Sequence, residues 1–174
     1  MKPLPWRAIH DWICNNCGLC CMFNVPLQTK EWIQITRQFG YNGIMMNPSN
    51  FQICLSKDKN KRCVFQMYYS GRWICGIQNN KPLACKTYPF QVLSKPEHGS
   101  GSEALLSFKG HDLYIYVDEH CLGLRFGKPS DNFIKTTLRE FVEISLMMRG
   151  KQYYSTSQLI GNRIPLTTQM RRIV

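Results

Sequence analysis

The sequence predicts a small, irregular α+β fold with a short antiparallel hairpin or sheet, two principal helices and clustered cysteines at its centre. Three observations predict it. Cys14-Asn-Asn-Cys-Gly-Leu-Cys-Cys21 packs four thiols into eight residues; Ser70-Gly71 separates two β-prone runs by the length of a two-residue hairpin turn; and two segments, near residues 29–40 and 131–148, space their apolar side chains as helices do. At 174 residues and 44% hydrophobic content, the chain suits one domain with a core of ordinary density.

In chain order, the cysteine loop leads into a short apolar stretch, residues 22–27, containing Pro26. Thr29 is the expected cap of the first helix, with Glu31 in its first turn, Trp32, Ile35 and Phe39 at helical spacing and Gly40 as its stop. Such a helix shields the cysteines or joins the core. Residues 41–60, rich in Asn, Pro, Ser and Lys, read mainly as loop with a short strand at 51–55. The hairpin runs, residues 63–69 and 72–77, place Cys63 and Cys75 on the two arms of one ribbon. Pro82 suits the first position of a short helical turn that contains Cys85 and ends at Pro89. Residues 91–93, 104–108 and 113–117 read as strands, the last alternating Leu-Tyr-Ile-Tyr-Val, with a Gly/Ser/Pro/His loop between the first two. Cys121 follows directly. Ser130 or Asp131 caps the second helix, whose apolar face carries Ile134, Leu138, Phe141 and Met148 and which stops at Gly150. A polar, basic tail containing Arg163, Arg171 and Arg172 comes next. Residues 1–128 thus form a cysteine-cluster part and residues 129–174 a helix and tail packed on it, a single domain overall.

The first residues lack the apolar run of a signal peptide, and no later run approaches the roughly 20 apolar residues that span a bilayer, so the sequence reads as cytoplasmic with no membrane span. In a reducing compartment, clustered cysteines serve as metal ligands or redox groups more readily than as structural disulfides. Their odd count of nine also argues against complete pairing. The formal net charge of +11 predicts attraction to polyanions or to an acidic protein partner. Between Cys54 and Lys95 the basic residues Lys57, Lys59, Lys61, Arg62, Arg72, Lys81, Lys86 and Lys95 face a single acid, Asp58. Part of that surplus can balance metal-bound thiolates. There is no P-loop, no GxGxxG after a strand, no GxSxG elbow and no HExxH. No catalytic residue is assigned, and an enzyme built on this chain would be iron- or iron–sulfur-dependent.

Two thiolates at x-x spacing converge on one metal about 2.3 Å from each sulfur. Cys14/Cys17 and Cys17/Cys20 both have that spacing, with Gly18 free to take a positive φ. Three cysteines at successive x-x spacings also open the ferredoxin-type iron–sulfur signature. In extended backbone the neighbours Cys20 and Cys21 point to opposite sides, which suits two metal centres or one polynuclear centre.

The ordered series Cys14-x-x-Cys17-Gly-x-Cys20-Cys21, Cys63-Val-Phe, Cys75-Gly-Ile, Lys81-Pro-Leu-Ala-Cys85-Lys-Thr-Tyr-Pro-Phe90 and Cys121-Leu-Gly resembles the CxxCxxCC cysteine-cluster family, often called YkgJ-type. The resemblance covers residues 14–123 and implies a metal-centred domain that chelates zinc or iron, an iron–sulfur cluster included. Carried over residue by residue, it implies eight metal ligands: Cys14, Cys17, Cys20, Cys21, Cys63, Cys75, Cys85 and Cys121. Lys86 stands where the family commonly has arginine, which keeps the charge and loses bidentate pairing. Cys54 has no place in the pattern and reads as a buried apolar thiol. Tyr88-Pro89-Phe90 reads as a packed turn, and His120, beside Cys121, as surface or as an additional ligand or proton donor. Two alternatives to a structural metal remain: an iron or iron–sulfur redox or modifying enzyme or its accessory subunit, and a metal-stabilised nucleic-acid-binding module. The second would use Lys57, Lys59, Lys61 and Arg62, or the basic tail with Tyr153 and Tyr154.

Overall fold

The computed structural model describes residues 3–155; the tail arginines Arg163, Arg171 and Arg172 lie outside the described residues. The strands are β1 (Leu4–Pro5), β2 (Ile9–Trp12), β3 (Ile44–Met46), β4 (Ile53–Leu55), β5 (Gln66–Tyr69), β6 (Arg72–Cys75), β7 (Phe90–Leu93), β8 (Leu105–Phe108), β9 (His111–Val117) and β10 (Leu124–Phe126). The helices are α1 (Thr29–Phe39), α2 (Leu83–Thr87), α3 (Gly101–Ala104) and α4 (Arg139–Ser145), the last continuing a π-helical run over Phe133–Leu138. This is an α+β fold of short antiparallel sheets, and no helix among the described residues is long and apolar enough to cross a membrane. Two compact units are formed, one by residues 3–15 with 86–155 and the other by residues 16–85.

In the first unit β9 is the central strand. It pairs antiparallel with β7 (Val92↔Ile115), with β1 (Leu4↔Val117) and with β8 (Leu106↔Leu113). Leu113, Ile115 and Val117 project into the core, as the alternating sequence predicts, against Phe90, Phe133, Leu138 and Phe141. Trp12 meets Phe90 and Phe141 edge-on, at ring separations of 6.1 and 5.2 Å. A second ribbon pairs β10 with β2 (Leu124↔Trp12), an element pair that sequence periodicity does not reveal.

The long C-terminal helix differs from its expected span. Ser130 Oγ accepts the Phe133 N–H at 3.1 Å, so the predicted cap forms. The helix ends at Ser145 and not at Met148, because Met147 takes a left-handed conformation (φ 56°). Met148 N–H then reaches the Glu143 carbonyl at 2.8 Å and Met147 N–H the Ile144 carbonyl at 3.0 Å, a Schellman cap with methionine at the usual glycine position. Met148 is therefore off the apolar face and exposed. Beyond this cap the chain folds back onto Glu140, whose buried carboxylate accepts the N–H groups of Tyr153, Tyr154 and Ser155, the Ser155 hydroxyl and Arg149 Nη1 at 2.6–3.1 Å. Tyr153 and Tyr154 are thus held by their backbones on this helix.

In the 16–85 unit, α1 begins one residue earlier in function than expected: Gln28, not Thr29, is the cap, and its N–H donates to Glu31 Oε2 at 2.8 Å. Glu31 Oε1 accepts the Leu83 N–H at 2.6 Å, so one carboxylate holds the starts of both α1 and α2. Ile35 and Phe39 pack with Phe65, Leu55, Ile77, Val25 and Cys63 in the unit's core. The 41–60 region contains the expected short strand, as β4, and also its unexpected partner β3 (Met45↔Cys54). The β5–β6 hairpin turns at Ser70-Gly71 with φ values of 47° and 79°, the type I′ geometry that matches strand twist. Its arms are shorter than predicted. Cys75 ends β6, whereas Cys63 precedes β5 and pairs with Lys57 in an isolated bridge.

Candidate metal centre

The cysteine loop is built on a left-handed glycine. Gly18 (φ 75°) turns the chain into a 3₁₀ segment over Leu19–Met22, with Cys21 N–H donating to the Gly18 carbonyl at 3.2 Å. The backbone at Cys20-Cys21 is therefore not extended, and the opposite-sides argument from sequence does not apply. Instead the Cys21 thiol donates a hydrogen bond to the Cys20 sulfur. Three further bonds moor the loop: Gln66 Nε2 to the Gly18 carbonyl (3.0 Å), Trp73 N–H to the Asn16 carbonyl (3.1 Å) and Cys63 N–H to the Cys21 carbonyl (3.0 Å). Arg62 completes the support, its guanidinium 4.3 Å from the Trp73 ring and its Nη1 3.2 Å from Gln66 Oε1.

Five sulfurs of this unit share one electrostatic neighbourhood. Charge on Cys20, Cys75 or Cys63 raises Cys21; charge on Cys75 or Cys20 raises Cys63; charge on Cys75, Cys63 or Cys20 raises Cys85. Burial is the leading cause for three of them, taking Cys63 up to about 11 and raising Cys75 and Cys85. Cys21 is raised chiefly because its proton is shared with Cys20. Cys20 moves the other way, down to about 7, because the Cys21 thiol donates to it, with Lys81 assisting. Lys81 also opposes the rise at Cys75 and Cys85, and Lys57 does so at Cys63.

Cys14 and Cys121 belong to the first unit. Ile13 N–H donates to the Gly123 carbonyl (3.0 Å) and Asn15 Nδ2 to the Leu122 carbonyl (3.3 Å), which extends the β2–β10 ribbon past Cys14. Trp12 Nε1 donates to Cys121 Sγ at 3.2 Å. A Cβ on Gly123 would lie 2.3 Å from the Ile13 carbonyl oxygen, so only glycine permits this approach. His120 Nδ1 is 2.8 Å from Asp118 Oδ1, on the surface. Cys54 is buried on the β3–β4 ladder, and burial raises its thiol. Lys86 Nζ donates to the Gly150 carbonyl at 3.0 Å, a single-point contact that needs no guanidinium.

As these side chains stand, no three His, Cys, Asp or Glu among the described residues are arranged to hold a metal ion. A family model matches residues 13–122. The chain belongs to the CxxCxxCC family. The family is described as a "putative zinc- or iron-chelating domain", and the match spans all eight cysteines of the motif series. No curated protein and no solved structure matches the chain. The donor chemistry of this CxxCxxCC member fits such a metal: charge on Cys20 opposes ionisation of Cys21, Cys63, Cys75 and Cys85, an opposition that a thiophilic cation would relieve. Gln66 and Trp73 were not singled out by sequence reasoning, and Glu31 and Lys81 were noted there only as a first-turn acid and as part of the basic surplus beside the cysteines. Nothing local to Glu31 forecasts the bond it accepts from Leu83 N–H.

Proposed function

We propose that Cys20, Cys21, Cys63, Cys75 and Cys85 form a zinc- or iron-binding centre whose metal ties the 16–85 unit together. The reading is carried by the packing of Cys21, Cys63, Cys75 and Cys85 in one cluster, each opposed in ionising by charge on Cys20, with Lys81 favouring the charged forms of Cys20, Cys75 and Cys85. Thiolate donors select borderline-soft ions, and binding replaces thiol protons by the cation. Five sulfurs exceed one tetrahedral set, which favours a second ion or a polynuclear centre over a single zinc knuckle. The family spacing adds Cys17, on the same loop, and Cys14 and Cys121 to the proposed ligands.

The spacing of Cys14, Cys17 and Cys20 supports an iron–sulfur cluster as the second reading. Anaerobic isolation, elemental analysis and acid-labile sulfide separate the two. Colourless protein with zinc supports the structural reading, whereas iron with stoichiometric sulfide supports the cluster. Cys20→Ser and Cys85→Ser should each lower metal content, and chelation should lower the unfolding midpoint. Metal-free wild-type protein from an anaerobic preparation, or unchanged metal in both variants, would overturn the proposal.

A further inference from the structure

We propose that the β5–β6 hairpin and the adjoining 57–62 loop form a binding surface for single-stranded nucleic acid. The surface combines exposed aromatic rings with cations, and its single acid, Asp58, is engaged by the backbone N–H groups of Asn60 and Arg62. Tyr68 and Tyr69 are adjacent on β5 and are 62% and 61% exposed. Tyr68 lies 4.9 Å from Trp73, on which the Arg62 guanidinium is stacked, and Tyr69 is the ladder partner of exposed Arg72. Successive strand residues face opposite sides, so the tight Ser70-Gly71 turn sets the two tyrosines on the two faces of the ribbon's tip, which an unpaired strand can wrap. Lys59 and Lys61 are exposed in the loop that leads into Arg62.

The charge around this surface is one-sided. Residues 16–85 carry eight basic residues, Lys30, Arg37, Lys57, Lys59, Lys61, Arg62, Arg72 and Lys81, against two acids, Glu31 and Asp58. Both acids are engaged by backbone: Glu31 accepts from Gln28 and Leu83, and Asp58 Oδ1 accepts from Asn60 and Arg62 at 2.8 and 2.9 Å. The remaining field attracts a polyanion. Unstacked bases present π faces to tyrosine, and each such stack contributes independently of sequence. A duplex keeps its base faces covered, and an acidic peptide would use the cations and leave the tyrosines idle.

The test is fluorescence anisotropy of the full chain as isolated, with metal content recorded, against labelled oligo-uridine RNA and oligo-thymidine DNA of about 12 nucleotides. Both single strands should bind. With Lys59, Lys61, Arg62 and Arg72 engaged, log affinity should fall against log salt with a slope of about −3. Tyr68→Leu and Tyr69→Leu should each weaken binding about tenfold with metal content unchanged. Lys59→Gln with Lys61→Gln, in an exposed loop, should reduce the slope by about 1.4 whatever the tyrosine variants do. The proposal is overturned by no binding at about 50 mM salt, by equal affinity for a duplex of the same length, or by unchanged affinity in the Tyr68→Leu/Tyr69→Leu double variant. Displacement of the RNA by poly-glutamate at equal concentration would assign the surface to an acidic protein and overturn it as well.

Discussion

Replacing Gly18 by alanine tests how tightly the cysteine loop is held by the hairpin. The new Cβ would stand 2.2 Å from Gln66 Nε2 and 2.8 and 2.9 Å from Trp73 Cγ and Cβ. Gln66 can swing aside at the loss of its bond to the Gly18 carbonyl, about 1 kcal/mol. Trp73 Cβ cannot swing, because the β6 backbone fixes it, so loop and strand must separate, at about 1–3 kcal/mol for overpacking. The left-handed φ of 75° adds about 1 kcal/mol for a residue with a Cβ. Together these predict about 3–5 kcal/mol lost, and at a typical urea dependence of about 2 kcal/mol per molar the midpoint falls by roughly 2 M. Urea unfolding with metal content measured in parallel is the assay, and metal uptake should weaken because Cys17 and Cys20 flank the displaced turn. Adding Gln66→Ala should restore less than about 1 kcal/mol, since the Trp73 contact remains. A Gly18→Ala protein within about 0.5 kcal/mol of wild type and with full metal would show that the loop is not held against Trp73 in this way.

Glu140→Gln should destabilise the chain by about 3 kcal/mol, lowering the melting temperature by roughly 6–12 °C, because an amide would replace one acceptor oxygen among five N–H and O–H donors and remove one of the two carboxylates that Arg149 pairs with. Met147→Gly should raise stability by about 0.5–1 kcal/mol in denaturant unfolding, since the side chain is exposed and glycine relieves its left-handed φ. Cys54→Ala should cost about 1 kcal/mol and leave metal content unchanged, and a stoichiometric loss of metal would place Cys54 in the centre after all.

The sequence was readable where a signal is local. Strand alternation at Leu113–Val117, the Ser70-Gly71 turn and the Ser130 cap each depend on a few neighbouring residues, and each forms as read. The β2–β10 ribbon was not readable, because it joins two short segments more than a hundred residues apart, neither of which alternates clearly. Glu140 and Glu143 illustrate a second limit. A uniform 3.6-residue period puts Glu140 opposite the Ile134, Leu138 and Phe141 stripe, but the 149–155 segment folds back over it, and in α4 every residue from Glu140 to Ile144 is buried. The periodic rule failed where a later segment covers the helix's other face. The cysteine cluster was legible as ligand spacing, yet its division between the two units depends on where the chain turns at residues 15 and 86, which no motif records.

The basic surplus of the 54–95 segment, which in sequence looks like one property, separates in space into two. Lys57 and Lys81 act on the sulfurs: Lys57 lowers Cys63 and Cys54, and Lys81 lowers Cys20, Cys75 and Cys85. Lys59, Lys61, Arg62 and Arg72 belong to the hairpin and its adjoining loop, where Arg62 is stacked on Trp73. The first pair offsets thiolate charge within a desolvated group, which short-range attraction does efficiently and salt screens little. Lys59, Lys61 and Arg72 face water, where their attraction for a partner is fully exposed to screening. Metal retention should therefore change little between low and high salt, while any polyanion bound at the hairpin is released, and parallel measurements of metal content and oligonucleotide binding across one salt series separate the two roles. Metal lost in step with the oligonucleotide would show that the two sets of cations serve one site.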